Sequence, residues 1–212
     1  MGRSHMNGPV FGKITNNVDP ENLGRVKVHL EHMGSDIETG WIDVITPTAG
    51  AFALPEVEEQ VIVSFIGNNP DYCIVTGSSW NNIQKPPITG ENAESDLNKD
   101  GENNLRFIKS RSGHMIIMDG TKGNEKIQFI SGDGKTRFEL IAKGTLLNIK
   151  TDGDMKISAK GKILIEGEER FIKMKKDFSG KGENIKVEGK SKEVSIKSGK
   201  NHIVKGTGIN LN

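Results

Sequence analysis

The sequence predicts an all-β protein, a small β-barrel followed by an intertwined three-chain β-helix. Three observations predict it. The first third holds five short Val- and Ile-rich segments with partial period-2 alternation, separated by turn residues. The second half repeats apolar residues at a fixed eight-residue step. The apolar content is also low for one large core. Average soluble domains are about 45–50% apolar with Gly counted. Here 33% hydrophobic residues reach that range only through 26 Gly, which bury nothing.

Residues 1–6, Met1-Gly2-Arg3-Ser4-His5-Met6, read as an expression scar and are left out of the argument. Residues 7–82 form the expected barrel domain. Its strands are Val10–Ile14, Val26–Leu30, Trp41–Ile45, Gln60–Ile66 and Cys73–Gly77. Asp19-Pro20, Asn22 and Gly24, then Gly34-Ser35-Asp36, then Gly67-Asn68-Asn69-Pro70-Asp71 supply the turns between them. Five short strands in this length suit a Greek-key barrel of the kind that elsewhere binds oligonucleotides or sugars. Residues 83–104 are the expected linker, opened by Pro86-Pro87 and rich in Asn and Asp.

Residues 105–212 are expected to form the helix. Leu147, Met155 and Ile163 are eight apart, as are Ile149, Ile157 and Ile165; Gly153 and Gly161 share the step. After a less regular stretch, Ile185, Val194 and Ile203 are nine apart. Eight extended residues span only about 26 Å, too little for one chain to close a coil around a packed interior. Three chains supply about 24 residues per coil, and each need contribute only a third of the core. The trimer core is expected at Leu147, Ile149, Met155, Ile157, Ile163, Ile165, Ile185, Val187, Val194 and Ile196. Lys156 and Ser158 are expected to face water. An ordinary β-sandwich with coincidental spacing is the plainer alternative.

Charge and composition exclude several classes. Lys and Arg total 29 against 28 Asp and Glu, a net charge of +1, which argues against a dedicated duplex-DNA binder. One Cys makes neither an internal disulfide nor a multi-Cys metal site. No apolar run approaches the length of a membrane-spanning helix, and no leader reads as a signal peptide.

The candidate chemical residues read as structural. His29 and His32 stand three apart, on opposite faces of a strand, which is poor ligand geometry. His114 follows Gly113 at a turn. His202 stands by itself, without a His-x-His partner for an axial metal. Cys73 sits in an apolar strand as a small hydrophobe, with no base to activate it. Gly132-Asp133-Gly134-Lys135-Thr136 has Phe129 where a phosphate loop needs Gly, so it reads as a hairpin turn. Asp119, Asp133, Asp152 and Asp154 read as turn formers. Lys173, Lys175, Lys176, Lys181 and Lys186 are interspersed with acids and read as a solvated face. No catalytic residue, metal or cofactor is expected, and no enzyme.

Several blocks resemble the central spike of contractile injection machines, the VgrG proteins of type VI secretion and the needle proteins of contractile phage tails. In the first domain these are Gly24-Arg25-Val26-Lys27-Val28, Trp41 with Val44, Thr46-Pro47 and Ala49-Gly50. The densest is Leu54-Pro55-Glu56-Val57 with Glu59, Val61, Val63 and Phe65; Pro70-Asp71 and Val75-Thr76-Gly77-Ser78 complete it. Gly113-His114, Asp119 and Gly123-Asn124-Glu125-Lys126-Ile127 resemble the start of the family's trimeric β-helix. Glu58 departs from the pattern where Gly is usual, and Cys73 where Pro or a small residue is common.

The resemblance implies an OB-type barrel, a homotrimeric spike and a mechanical role in puncturing a target envelope. It implies tail-tube or baseplate proteins as partners at the N-terminal end. It also implies a PAAR-repeat tip protein at the C-terminal end, bound at Ile209, Asn210, Leu211 and Asn212. Assembly in the cytoplasm or virion, then injection, is expected, with no nucleic acid. The family's long N-terminal base region is absent from this sequence, and the linker has no room for an enzyme domain. The chain is thus expected to be a shortened piece or a short stand-alone spike. The other reading is a carbohydrate- or cell-wall-binding module with a β-helical spacer; an exposed aromatic cluster on the barrel would favour it.

Overall fold

The computed structural model describes residues 8–31, 37–69, 71–90, 96–190, 194–199, 201 and 203–208. The chain divides into two units, Met1–Lys156 and Ile157–Asn212. Among the described residues the regular structure is almost entirely β, with two three-residue 3-10 turns.

The first sheet of the N-terminal unit contains β1 (Val10–Asn16), β2 (Lys27–Leu30), β3 (Ile37–Glu38), β4 (Asp43–Val44), β5 (Gln60–Phe65) and β6 (Cys73–Ser78). Their order is β3-β2-β1-β5-β6-β4. β3 pairs antiparallel with β2, while β4 pairs parallel with β6. The Val26–Ile42 bridge ties the start of β2 to the residue before β4. Residues 37–44 therefore close the sheet into a barrel, holding one edge strand with their first half and the other with their second.

Shifts of register at Ile14–Asn16 and Ile62–Val63 bend the long strands as bulges do. Gly12 lies where β1 crosses β2 closely, and a Cβ there would run into Val28 Cγ1. Period-2 alternation sends Ile14, Val26, Val28, Leu30, Ile42, Val61, Val63 and Val75 inward as the core.

The expected strands are present with ends no more than two residues from those expected, and β3 is additional. Its two residues follow Gly34-Ser35-Asp36, which masked them as turn. The linker's first part is stitched to the barrel. Gln84 accepts from Gln60 N–H at 2.9 Å and donates to the Glu58 carbonyl at 2.7 Å.

The second sheet is β7 (Leu105–Lys109), β8 (Met115–Asp119), β9 (Lys126–Ile130), β10 (Thr136–Ile141) and β11 (Leu146–Thr151). They form an antiparallel meander in sequence order. Gly113, Gly123, Gly134 and Gly144 sit at positive φ in its four turns. The first half of the stretch expected to form the three-chain helix thus pairs with itself. In the C-terminal unit the described residues form no strand or helix and lie exposed.

Candidate functional site

The meander has two unlike faces. Cross-strand pairing places Arg106, Met118, Ile127, Leu140 and Leu147 in one row. Ile108, Ile116, Phe129, Phe138 and Ile149 form the next row on the same side. Nine of these ten residues are apolar, yet the face is open to solvent: Ile108 is 74% exposed, Leu147 53% and Ile149 51%. Phe129 and Phe138 meet edge-to-face at 5.8 Å. A continuous apolar sheet face marks a site of association.

The opposite face is closed by polar pairing. Gln128, nearly inaccessible, donates to Glu139 Oε1 at 2.6 Å, and Asn148 donates to Glu139 Oε2 at 2.9 Å. Burial pushes the Glu139 carboxyl up, but the Asn148 and Gln128 amides, with Arg137 and Lys126 nearby, outweigh it and hold it below its ordinary range. Trp80, Pro86, Pro87 and Leu97 surround Leu105 and Phe107 at the β7 edge. Lys109 Nζ donates to the Ile88 carbonyl at 2.8 Å.

The structure brings two of the expected trimer-core residues, Leu147 and Ile149, onto the apolar face. Met155, Ile157, Ile163, Ile165, Ile185, Val187, Val194 and Ile196 lie exposed in the single chain. The expected tip residues Ile209, Asn210, Leu211 and Asn212 lie outside the described residues, as do His32, Pro70 and His202. The sequence reading missed Ile108, Ile116, Met118, Ile127, Phe129, Phe138 and Leu140. The signal was their alternation within each strand, which Met115-Ile116-Ile117-Met118 hides because both of its faces are apolar.

The remaining candidates hold structural positions. His114 Nδ1 accepts the Gly132 N–H at 3.0 Å, joining two turns. Asp133 accepts from Ser131 Oγ at 2.5 Å and Lys135 N–H at 3.1 Å within the β9–β10 turn. The Ser131 hydroxyl and then the Lys135 N–H hold its carboxyl below the ordinary range. Asp119, buried at the end of β8, accepts the Thr121 N–H at 2.9 Å. Cys73 pairs with Phe65 across the barrel sheet, and burial pushes its thiol up, away from thiolate chemistry. Among the described residues, no group of three His, Cys, Asp or Glu side chains could hold a metal ion.

A loop before β2 carries the densest electrostatic contact. Asp19 is buried and accepts from the backbone of Glu21, Leu23 and Arg25. The Arg25 guanidinium adds two bonds, at 2.8 and 2.9 Å. That guanidinium first, then the backbone N–H groups, holds the Asp19 carboxyl far below the ordinary range despite burial.

Residues 10–80 match the type VI secretion system/phage-baseplate injector OB domain. The barrel belongs to that domain family. The resemblance to VgrG spike proteins holds beyond the injector OB domain. The chain is 27% identical over 139 residues to the type VI secretion system spike protein VgrG3 of Vibrio cholerae, covering 57% of this chain and 14% of that protein. It is 31% identical over 97 residues to the spike protein VgrG2a of Pseudomonas aeruginosa, 40% of this chain and 12% of that protein. It is 28% identical over 102 residues to the actin cross-linking toxin VgrG1 of Vibrio cholerae, 41% and 9%. The chain therefore matches about a tenth of these relatives' length.

Proposed function

We propose that the chain is the shaft of a homotrimeric spike in a contractile injection machine, driven through a target envelope. One observation carries the reading. An injector OB domain is followed by a meander whose apolar face the described residues leave exposed, and then by an apolar repeat that they leave exposed too. Three copies would bury both. Each Ile or Leu withdrawn from water contributes about 1.5–3 kcal/mol, so dozens of such residues per trimer favour association strongly.

The role is mechanical rather than catalytic. Interlocked coils give stiffness through a continuous hydrogen-bond ladder and a packed axis. Baseplate or tail-tube proteins would hold the N-terminal end, and a PAAR-type tip protein would sit at Ile209–Asn212. The tip partner rests on the family resemblance.

Light scattering tests the core of the reading. A trimer of the 23.2 kDa chain weighs about 70 kDa. A 23 kDa species at assay concentration would sink the shaft. Removing Ile209–Asn212 is expected to abolish tip-protein binding while leaving the mass trimeric.

A further inference from the structure

Charge is divided unevenly along the chain. Residues 1–156 hold 16 Lys and Arg against 21 Asp and Glu; residues 157–212 hold 13 against 7. Residues 170–190 hold seven basic and three acidic side chains.

The same stretch interrupts the repeat. Ile172 and Met174 follow Ile163 and Ile165 by nine residues, and Val194 and Ile196 follow Ile185 and Val187 by nine. From Ile172 to Ile185 the step is thirteen. In a stacked array, four surplus residues leave the stack as a longer outer turn. That turn carries Lys175, Lys176, Phe178 and Lys181, with Phe178 71% exposed. Just before it, Phe171 (88% exposed) and Lys173 alternate with Ile172 and Met174, so an extended chain shows them on the outer side.

Phenylalanine among lysines suits the boundary of a bilayer. The ring enters the acyl region while ammonium groups meet headgroup phosphates. A nucleic acid would be better served by Arg, which is one of the seven basic residues here.

We infer that the outer turn at residues 175–184, with Phe171 and Lys173 beside it, is a contact site for anionic phospholipid bilayers. The inference goes beyond the spike reading and rests on it for the placement of the turn outside the stack and for multiplicity. Three chains would bring three such turns to one level, multiplying weak contacts.

The test is co-sedimentation of the whole chain with vesicles of phosphatidylcholine alone, or with about 30% phosphatidylglycerol, at about 0.1 M salt. Binding is expected to the anionic vesicles only and to fall sharply at about 1 M salt. The triple change K175E/K176E/K181E is expected to weaken it by about a hundredfold, at about fivefold or more per lysine. Phe178→Ser should weaken it with the charge unchanged. Deleting Asp177–Gly180 restores the nine-residue step, so this variant should keep the parent's oligomeric mass and lose about tenfold in partition.

Equal binding to neutral vesicles, no binding to either kind, or full binding by the triple variant would overturn the inference. So would binding to heparin without binding to vesicles. Light scattering on the same samples separates the two readings. A monomer that binds anionic vesicles sinks the spike and the outer turn but keeps the Phe- and Lys-bearing segment as the bilayer contact; a trimer that ignores them does the reverse.

Discussion

Glu58 stands in the left-handed region, with φ 75°, at the turn into β5. That conformation costs a residue with a Cβ about 1–2 kcal/mol. Its ion pair with Lys13 lies at the exposed surface and offsets little. Glu58→Gly relieves the strain and adds backbone entropy to the unfolded chain, which costs about 0.4–1 kcal/mol. The expected net gain is about 0.5 kcal/mol, read as a higher urea midpoint by tryptophan fluorescence. Gly132 shows the opposite constraint, since a Cβ there would strike the Ser112 carbonyl. Gly132→Ala is expected to destabilise the meander by about 1–3 kcal/mol in the same assay.

Asp19 sets an acid limit on the barrel. Its folded carboxyl titrates far below its unfolded value. The loop's contribution is therefore complete above about pH 4 and lost as pH falls from there through the folded pKa. Thermal midpoints measured from about pH 6 down to about pH 2 should drop for the parent protein. Asp19→Asn should start lower and fall less steeply; parallel curves would contradict the assignment.

Among the elements, the meander's two faces predict opposite responses. Ile116→Lys on the apolar face leaves the chain's own pairing intact, so strand content by circular dichroism should hold while oligomeric mass falls. Glu139→Ala strips the partner from the nearly inaccessible Gln128 amide. An unsatisfied buried group of this kind costs about 1–3 kcal/mol, so unfolding should come earlier with the subunit count unchanged until then.

These elements also show what a sequence can disclose. The barrel strands were legible because alternation at Val26-Lys27-Val28 and Val61-Ile62-Val63 buries one face only. β3 was not, because two residues beside a turn carry no period. The meander was read as part of the repeat because strands and turns of similar length serve both. Only pairing partners separate them, and pairing is non-local. The apolar face escaped notice for a related reason. Ile108, Phe129 and Phe138 lie on separate strands, and register, which the turns set, brings them together.

For the whole molecule, the question is what the C-terminal unit does when no other chain meets it. Residues 152–190 are exposed throughout in the single chain and offer a protease a Lys or Arg every few positions. A lone chain leaves them open, with no buried apolar contact to raise the free energy of local opening. Interlocked with two others as proposed, the same residues would bury Ile157, Ile163 and Ile165 and would have to unravel cooperatively before cleavage. Trypsin should therefore distinguish the states in one gel. An assembled spike should resist it along residues 157–190, with the first cuts in the turn at 175–184. A variant dissociated by Ile116→Lys should be trimmed back to the meander quickly at the same enzyme ratio. Equal cleavage of both would mean that association does not order the repeat, and the proposed shaft would lack the stiffness assigned to it.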